Sequence, residues 1–341
     1  MNKYLKTIFF IIGLAVFAYL VHDFGISNII ENVKRSGWWF IPVVGIWGIV
    51  YLMNAWAWYY IIDAKNKKVS FSHIFGVTLS GFAINYITPF VNLGGEPYRV
   101  YALKDSIGMH SAVSSVILYT MLHFLSHFIF WITAIIFTAV FLPIASGIKI
   151  TLFTAFVILS GFIWFTFSRH KKGIFASLIN LLSKLPLLKS LHKKLEKKEK
   201  SLLKIDEEIK NLYNNRKKAF YTALFWDYAS RFAASFEFLF ILKAIGINIS
   251  FMEAFYINAG SSLIINLFFF MPFELGTREG GLYLVLDSLG LNAVTGIYIG
   301  LINRVREFFW ILIGLILIQF NGKKRPETSK NIFEYMSEDS Q

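Results

Sequence analysis

The 341-residue sequence is 56% apolar and 16% charged, and it contains 36 Phe, 16 Tyr and 9 Trp. A water-soluble core of this size cannot bury so much apolar surface, whereas a lipid bilayer accommodates it, so a soluble fold is excluded. The absence of cysteine excludes disulfides, thiolate nucleophiles and cysteine-ligated metals. The net charge of +13 would favour nucleic-acid binding in a soluble protein. Where the basic residues lie along the chain decides whether that interpretation applies here.

Six stretches have the length and composition of membrane spans, which need about 20 mostly apolar residues. The first follows Lys3 and Lys6 and resembles a signal peptide, but no small-residue cleavage site follows, so we interpret it as an uncleaved span. Trp and Tyr cluster near the ends of the second span, as expected at a membrane interface. The predicted spans are residues 5–21, 38–62, 111–142, 150–167, 219–242 and 293–320.

Two further apolar stretches, residues 74–91 and 254–273, are less regular. Each contains asparagine and ends in a break rich in glycine, PFVNLGGEP from Pro89 and PFELGTREGG from Pro272. The same two regions belong to an internal repeat with a shift of about 180 residues. VSFSHIF from Val69 matches ISFMEAF from Ile249, a glutamate follows seven residues after each proline, and Ser-Ile-Gly-Met matches Ser-Leu-Gly-Leu near the end of each copy.

Most of the positive charge lies in one segment, since residues 169–218 hold 15 Lys and Arg against 5 Asp and Glu. Leu188, Leu195, Leu202 and Ile209 recur every seven residues, which predicts a basic amphipathic helix or a short helical hairpin. We interpret the segment as a cytoplasmic loop that follows the positive-inside rule, with binding of anionic lipid headgroups as the alternative. Nucleic acid is not an expected partner.

The positive-inside rule then gives a topology. Basic residues place the N-terminus, the loop after the second span and the segment 169–218 on the cytoplasmic side. This topology requires the first broken stretch to enter and leave the membrane on the same side. The second broken stretch must do the same, but from the opposite side of the membrane. The predicted fold is an all-α polytopic membrane protein with about six full transmembrane helices and two re-entrant hairpins in an inverted repeat, which is a transporter architecture.

One membrane domain is expected over residues 1–341, in the plasma membrane, with both termini in the cytoplasm. A homo-oligomer is one option for its assembly. The predicted parts are a first repeat, 38–142, with its hairpin at 73–105; a connecting span, 149–168; the basic segment, 169–217; a second repeat, 218–320, with its hairpin at 251–288; and a polar tail, 321–341.

Charged side chains inside membrane segments cost about 2.5–3.5 kcal/mol each near the bilayer centre, so they are retained for pairing or for function. In the first hairpin, Gly94 and Gly95 permit a turn, Glu96 is the expected N-cap of a helix that begins at Pro97, and Arg99 lies in the first turn. A helix N-terminus beside an arginine suits a phosphate group.

The second hairpin repeats these features in Gly276, Thr277 as the expected cap, Arg278 and Glu279. Two such sites approaching from opposite faces suit a phosphate headgroup that moves between leaflets. The glutamates would then balance the arginines when no substrate is bound, or carry a coupling proton. The alternative is that the charges only pair with one another and hold the hairpins in place.

Other ionisable residues lie in the spans themselves. Asp227 and Arg231 are one helical turn apart and are expected to form a buried ion pair. For Arg304, Arg306 and Glu307, substrate contact and pairing with a hairpin glutamate are both open.

His123 and His127, also one turn apart, have a spacing that can ligate a metal, but their helix offers no acidic or cysteine ligand. Packing is therefore expected for the two histidines, with proton handling as the alternative. No metal or other cofactor and no catalytic residue are predicted.

Both hairpins resemble the lysylphosphatidylglycerol synthase transmembrane family, which is flippase-like. The first family motif, TPGG…GG(D/E)xxR, corresponds to Thr88-Pro89 followed by Gly94-Gly95-Glu96-Pro97-Tyr98-Arg99, and the second, P…GxREG, to the segment from Pro272 to Gly280. The resemblance covers about residues 38–320. Phe90 stands where the family usually has glycine, so the first turn is expected to differ.

The resemblance implies an α-helical membrane domain that moves lipids, such as aminoacylated phosphatidylglycerol or polyprenyl-linked glycolipids, between leaflets. Lysine transfer is not implied, because only polar residues 321–341 follow where full-length synthases have a soluble aminoacyl-transferase domain. The preferred function is a flippase for a lipid with an anionic or phosphate headgroup. The alternatives are a membrane-embedded transferase with Glu96 or Glu279 as base, and a scaffold whose basic segment recruits a cytosolic partner.

Overall fold

The structure is a computed structural model that describes residues 25–62, 69–88, 94–141, 146–169 and 214–320, the last range without residues 270, 272, 273 and 275. Residues 18, 22, 179, 180, 203, 206, 207 and 210–212 are also described. Most of the predicted first span, most of the basic segment, the turn at residues 89–93 and the polar tail lie outside these residues.

All regular structure in the described ranges is helical, which confirms the predicted all-α class for them. The helices are α1 (Ile26–Ser36), α2 (Phe40–Ile61), α3 (Phe71–Ile87), α4 (Gly95–Ile107), α5 (Met109–Phe141), α6 (Ser146–Arg169), α7 (Lys217–Ala234), α8 (Phe236–Ala244), α9 (Phe251–Leu267), α10 (Thr277–Ser288) and α11 (Thr295–Phe320). A 3-10 turn, Gly37–Trp39, joins α1 to α2.

Two helical stretches among the described residues, Ile30–Ile61 and Ser111–Phe141, are long and apolar enough to cross a membrane by themselves. The apolar helix α3 is shorter, with 17 residues. Helix α11 has the length of a span, but Arg304, Arg306 and Glu307 interrupt its apolar sequence. The ionic contacts of these three residues, described below, are therefore essential to any membrane location of α11.

The predicted span 219–242 is not one continuous helix, because α7 ends at Ala234 and α8 begins at Phe236. At the break, Ser235 N–H donates to the carbonyl of Phe232 three residues back. Asn258 of α9 donates to the carbonyl of Arg231 (3.1 Å) and to Ser235 Oγ (3.0 Å). A side chain that occupies helix carbonyls in this way interrupts the regular hydrogen-bond ladder.

Each half of the chain contains an antiparallel pair of helices. In the first pair, Gly95 at the start of α4 lies against Gly81 near the end of α3. In the second pair, Gly281 of α10 lies against Ile264 of α9, and the hydroxyls of Tyr256 and Ser288 meet at 2.9 Å. We call α3–α4 the first hairpin and α9–α10 the second hairpin.

The two hairpins begin and end alike, as the sequence repeat predicts. Ser70 caps α3 by accepting from His73 N–H, and Ser250, 180 residues later, caps α9 by accepting from Glu253 N–H. Gly108 after α4 and Gly290 after α10 both have positive φ, 81° and 69°. A left-handed residue ends a helix without strain only when it is glycine, so the repeated Ser-x-Gly sequence has a structural reason.

The two halves also contact each other reciprocally. The first hairpin packs on α11 of the second half, where Ser80 Oγ donates to the carbonyl of Gly314 (3.0 Å). The second hairpin packs on α5 of the first half, where the Trp131 indole N–H donates to Ser262 Oγ (2.9 Å). Each hairpin therefore rests on the helix that follows the other hairpin in sequence.

Helices α2 and α7, which precede the two hairpins, pack on each other in opposite directions. The Arg216 guanidinium at the start of α7 donates to the carbonyls of Ile61 and Ile62 at the end of α2, both at 3.0 Å. Further along, the rings of Trp56 and Trp226 lie 4.8 Å apart. The largest buried apolar cluster surrounds this contact and joins α2 to α3, α4, α5, α7 and α11.

The contact between α3 and α11 can be tested at Gly314. A Cβ there would lie 2.6 Å from the carbonyl oxygen of Leu79 and 2.7 Å from Ala83 Cβ, so Gly314→Ala has to separate the helices. We expect a loss of about 1–3 kcal/mol of stability, the usual effect of overpacking.

Gly161→Ala on α6 is the matched control, since nothing lies within 4 Å of that position. Alanine forms helix better than glycine by about 1 kcal/mol, so this variant should melt at the same or a higher temperature. Thermal unfolding in detergent measures both variants. A Gly314→Ala protein as stable as the wild type would show that the described packing is wrong.

Candidate functional site

The first hairpin presents a helix start with an unusual cap. Helix α4 begins at Gly95 with Gly94 as N-cap, so the expectation that Glu96 caps a helix beginning at Pro97 was wrong. The physical reason is Asn85 of α3, whose side-chain oxygen accepts the Gly95 N–H and so takes the place of a cap from α4. A Cβ on Gly95 would lie 2.1 Å from the Gly81 carbonyl, so only glycine permits this approach.

Arg99 lies one turn into α4 and is 8% exposed. Its nearest carboxylate is Glu96, at 3.6 Å, which is beyond hydrogen-bond distance. The guanidinium carbon lies 5.7 Å from the ring centroid of Trp58 and 5.8 Å from that of Tyr119. The Nε atom is buried and has no hydrogen-bond partner among the residues that the structure describes. One distant carboxylate and two aromatic faces therefore compensate this cation only partly.

The second hairpin has a helix start that is already occupied. Helix α10 begins at Thr277 with Gly276 as N-cap, so the prediction of Thr277 as cap was wrong. The Thr277 hydroxyl instead donates to the carbonyl of Glu274 (3.0 Å). Glu279 accepts the Gly276 N–H at 3.1 Å, which satisfies a backbone donor that an anion would otherwise bind.

Arg278 is enclosed by carboxylates, in contrast with Arg99. Its NH1 lies 2.7 Å from Glu307 on α11, and its Nε and NH2 both donate to the carboxylate of Glu274. Glu274 reaches this position with a left-handed backbone, φ 55°, which few residues other than glycine adopt. The positive charge of Arg278 is thus fully compensated within the protein.

The two remaining arginines of α11 are paired as well. Arg304 contacts Glu279 through Nε (3.0 Å) and NH2 (2.8 Å), so a hairpin glutamate is its partner. Arg306 binds both oxygens of Glu237 on α8 and lies 3.8 Å from the ring centroid of Trp47. The Trp47 indole N–H also donates to Glu237, at 2.7 Å. These contacts join α2, α8, α10 and α11.

A separate cluster lies between α5 and α7. The expected pair of Asp227 and Arg231 is present, at 3.1 Å. Asp227 also bonds to His123 Nδ1 at 2.8 Å, and Arg231 donates to Ser126 Oγ and to the His123 carbonyl. The His127 ring lies 5.3 Å from that of His123. In the described part of the chain, no group of three or more His, Cys, Asp or Glu side chains is arranged to hold a metal ion.

The sequence did not predict several of these contacts. Glu237 and Asn85 stand out as polar residues in apolar stretches, which indicates a special role but not which residues they contact. Trp58 and Tyr119, which flank Arg99, gave no signal, because aromatic residues are abundant throughout the chain. Glu274 also passed unnoticed, since its role depends on a backbone conformation rather than on a motif.

A protein-family model described as "Lysylphosphatidylglycerol synthase TM region" matches residues 7–314. The chain belongs to this family. It is therefore a membrane protein related to a lipid synthase, and the resemblance drawn from the two hairpin motifs is confirmed. Comparisons with curated proteins and with solved structures found no match.

Within this member of the lysylphosphatidylglycerol synthase transmembrane family, the arginines differ in how well they are neutralised. Arg231, Arg278, Arg304 and Arg306 each have a carboxylate oxygen within 3.1 Å. Among the described residues, Arg99 has no carboxylate oxygen closer than 3.6 Å. A buried guanidinium without a close partner is energetically costly, and a bound anion would remove that cost.

The pairing of Arg306 predicts a strong effect of Glu237→Gln. The substitution keeps the shape of the side chain but leaves Arg306 buried without its bidentate partner, so we expect a loss of about 3–5 kcal/mol in stability. Asp287→Asn, at an exposed position on α10, is the control and should change stability by less than about 0.5 kcal/mol. The melting temperature and the yield of monodisperse protein in detergent report both effects; equal behaviour of the two variants would contradict the pairing.

Proposed function

We propose that the protein moves a phosphate-bearing lipid between the two leaflets of the plasma membrane, and that Arg99 binds the headgroup. The observation that carries this proposal is the incomplete neutralisation of Arg99, beside four arginines that have close carboxylates. The membership of the chain in a lipid-synthase-related membrane family supports a lipid as the ligand.

The chemistry around Arg99 suits phosphate in particular. A guanidinium presents a planar set of N–H donors that matches two phosphate oxygens, and such charge-assisted bonds strengthen where water is excluded. Trp58 and Tyr119 lie beside the guanidinium without neutralising it. Glu96 is not hydrogen-bonded to Arg99 and accepts instead from the Asn85 amide at 3.3 Å, so in this proposal a phosphate binds Arg99 without breaking an existing hydrogen bond.

The reciprocal packing of the two halves supports the inverted repeat in this proposal. Helices α2 and α7 hold equivalent places before the two hairpins, and they run antiparallel at their contact. A two-fold axis between antiparallel equivalent helices is perpendicular to them. If α2 crosses the membrane, this axis lies in the membrane plane, which is the arrangement that gives inverted repeats in transporters.

The tip of the second hairpin supports a location inside the membrane. Leu267, Phe269 and Met271 are exposed there by 64%, 60% and 37%. A turn that faces water is usually built from Gly, Pro, Asn, Asp and Ser, because exposed apolar side chains gain nothing from water. In the proposed arrangement these side chains contact lipid, and the hairpin re-enters the side from which it came.

In this proposal the two hairpins differ in whether their arginine is available to a headgroup. The first hairpin offers Arg99 to a headgroup, while Glu274 and Glu307 hold the arginine of the second hairpin. Release of Arg278 from Glu274 would let the second hairpin receive the headgroup from the first. The cytoplasmic location of both termini belongs to the same proposal.

The proposed role of Arg99 predicts that Arg99→Ala slows leaflet exchange of a fluorescent phospholipid in proteoliposomes by roughly 10–100-fold, the equivalent of one charged hydrogen-bonding group. Arg99→Lys should retain part of the rate, because it keeps the charge but loses the fork of donors. Mass spectrometry of the lipid before and after exchange should show no covalent change.

Lys104→Ala is the matched control for the loss of a cation, since Lys104 lies on the same helix and contacts Tyr101 rather than Arg99. This variant should exchange lipid at the wild-type rate. Wild-type exchange in Arg99→Ala would refute the site, and a covalently altered lipid would favour the transferase instead.

The inverted hairpins predict opposite accessibility of the two tips. The chain has no cysteine, so Thr88→Cys at the end of α3 and Met271→Cys after α9 each create a single reactive thiol. We expect a membrane-impermeant thiol reagent to label the two positions from opposite sides of oriented vesicles. Labelling of both from the same side would exclude an inverted repeat.

A further inference from the structure

The contact between His123 and Asp227 determines where the histidine can bind a proton. A carboxylate only accepts hydrogen bonds, so the 2.8 Å contact from Nδ1 to Asp227 requires a hydrogen on Nδ1. In the neutral ring, Nε2 then carries the free lone pair. Asp227 is fully buried, whereas the His123 side chain is 35% exposed, so the ring is the accessible end of the pair.

His123 is not needed to neutralise Asp227, because Arg231 already does so. Its NH2 lies 3.1 Å from Asp227, so the carboxylate is already neutralised by a guanidinium on its own helix. The histidine adds a second donor to the same carboxylate. A carboxylate behind an imidazole fixes the tautomer and stabilises the imidazolium that forms when Nε2 takes up a proton.

A second histidine continues the pair along α5. The ring of His127 lies 5.3 Å from that of His123 and stacks on Trp131, while its buried Nδ1 has no hydrogen-bond partner in the described part of the chain. In the tautomer with hydrogen on Nε2, this nitrogen is an unused acceptor. His127 therefore offers a neighbouring position to which a proton on His123 can pass.

The cluster is also connected to the headgroup site. The Tyr119 ring lies 5.8 Å from the Arg99 guanidinium carbon and 5.7 Å from the His123 ring, so one side chain separates the two sites. Of the charged and titratable groups on the surrounding elements, Asp227 and Arg231 on α7 and Arg99 on α4 act electrostatically on His123, with Glu96 beside Arg99. Tyr119 and His127 on α5 contact its ring. Helices α2 and α9 contribute the neutral side chains Trp58, Asn258 and Ser262.

We propose that His123 is a proton-binding site that couples lipid translocation to a proton gradient, a proposal that rests on the proposed function. Asp227 and Arg231 cancel each other, so a proton on Nε2 of His123 gives the cluster one positive charge. An anionic headgroup on Arg99 stabilises that charge across Tyr119, and the proton in turn strengthens binding of the headgroup. This reciprocity is a thermodynamic requirement, so binding of either the headgroup or the proton raises the affinity for the other by the same factor.

Co-transport has a quantitative consequence. If one proton moves with each anionic lipid, a gradient of one pH unit drives about a tenfold difference in lipid between the leaflets at steady state. The lipid accumulates in the leaflet that faces the more alkaline side, because that is where the proton is released. Uncoupled exchange gives equal amounts in both leaflets.

The test uses proteoliposomes with a one-unit pH gradient and fluorescent phosphatidylglycerol, whose distribution is read with a membrane-impermeant quencher. We expect the wild type to approach the tenfold asymmetry toward the alkaline side. His123→Gln can still donate to Asp227 but cannot bind a proton, so it should exchange lipid and distribute it equally. His73→Gln, in the first turn of α3, should keep the asymmetry.

The outcomes separate the two proposals. No exchange by the wild type would overturn the proposed function; exchange with equal distribution would leave it intact and overturn the coupling. Retention of the asymmetry in His123→Gln would overturn the assignment to His123.

If this variant does not fold, proton uptake can be measured on the wild-type protein. Calorimetry of short-chain phosphatidylglycerol binding, in two buffers of different ionisation enthalpy, reports the uptake directly. An uptake of zero between pH 5 and 8 contradicts the proposal.

Discussion

Pairing of buried arginines with carboxylates is the constraint on which the second half of this protein depends. Arg306 binds Glu237 bidentately, and Glu307 on the same helix binds Arg278 of the second hairpin. Removing Glu237 would leave Arg306 as a buried cation without a close carboxylate, which costs more than most packing defects. Arg278 has a second carboxylate in Glu274, so loss of Glu307 would leave it one partner. The pairs fix the positions of α8, α10 and α11 relative to one another, and in this arrangement carboxylates rather than a ligand neutralise both arginines.

The two halves have corresponding helices, but their charged residues differ in position and pairing. Counted from the repeated glutamate, Arg99 lies three residues after Glu96, whereas Arg278 immediately precedes Glu279. The two arginines consequently occupy different faces of their helices. Arg278 meets the carboxylates of Glu274 and Glu307, while Arg99 meets Trp58 and Tyr119. Under the proposed function, one hairpin accepts an anion and the other is closed, which suits a ligand that moves in steps.

The sequence repeat correctly marked segments that are alike in structure, since both copies have a serine cap, at Ser70 and Ser250, and a glycine with positive φ, at Gly108 and Gly290. The predicted caps inside the hairpins were wrong, because Gly276 rather than Thr277 is the N-cap of α10. The start of α4 was mispredicted, because its cap comes from Asn85 on another helix.

Contacts over long sequence distances were not predictable in the same way. The bond between His123 and Asp227 joins residues 104 positions apart, and the pairing of Arg306 with Glu237 spans 69. A single sequence shows that such charges need partners, but it cannot show which of several partners the tertiary packing provides.

Every step of the proposed lipid translocation requires a phosphate lipid bound at Arg99. Native mass spectrometry of protein extracted in a mild detergent tests this without any transport assay. We predict that the wild type and Lys104→Ala retain a lipid with a phosphate headgroup, and that Arg99→Ala loses it while keeping its helical content. Equal lipid retention by Arg99→Ala and the wild type would contradict the account.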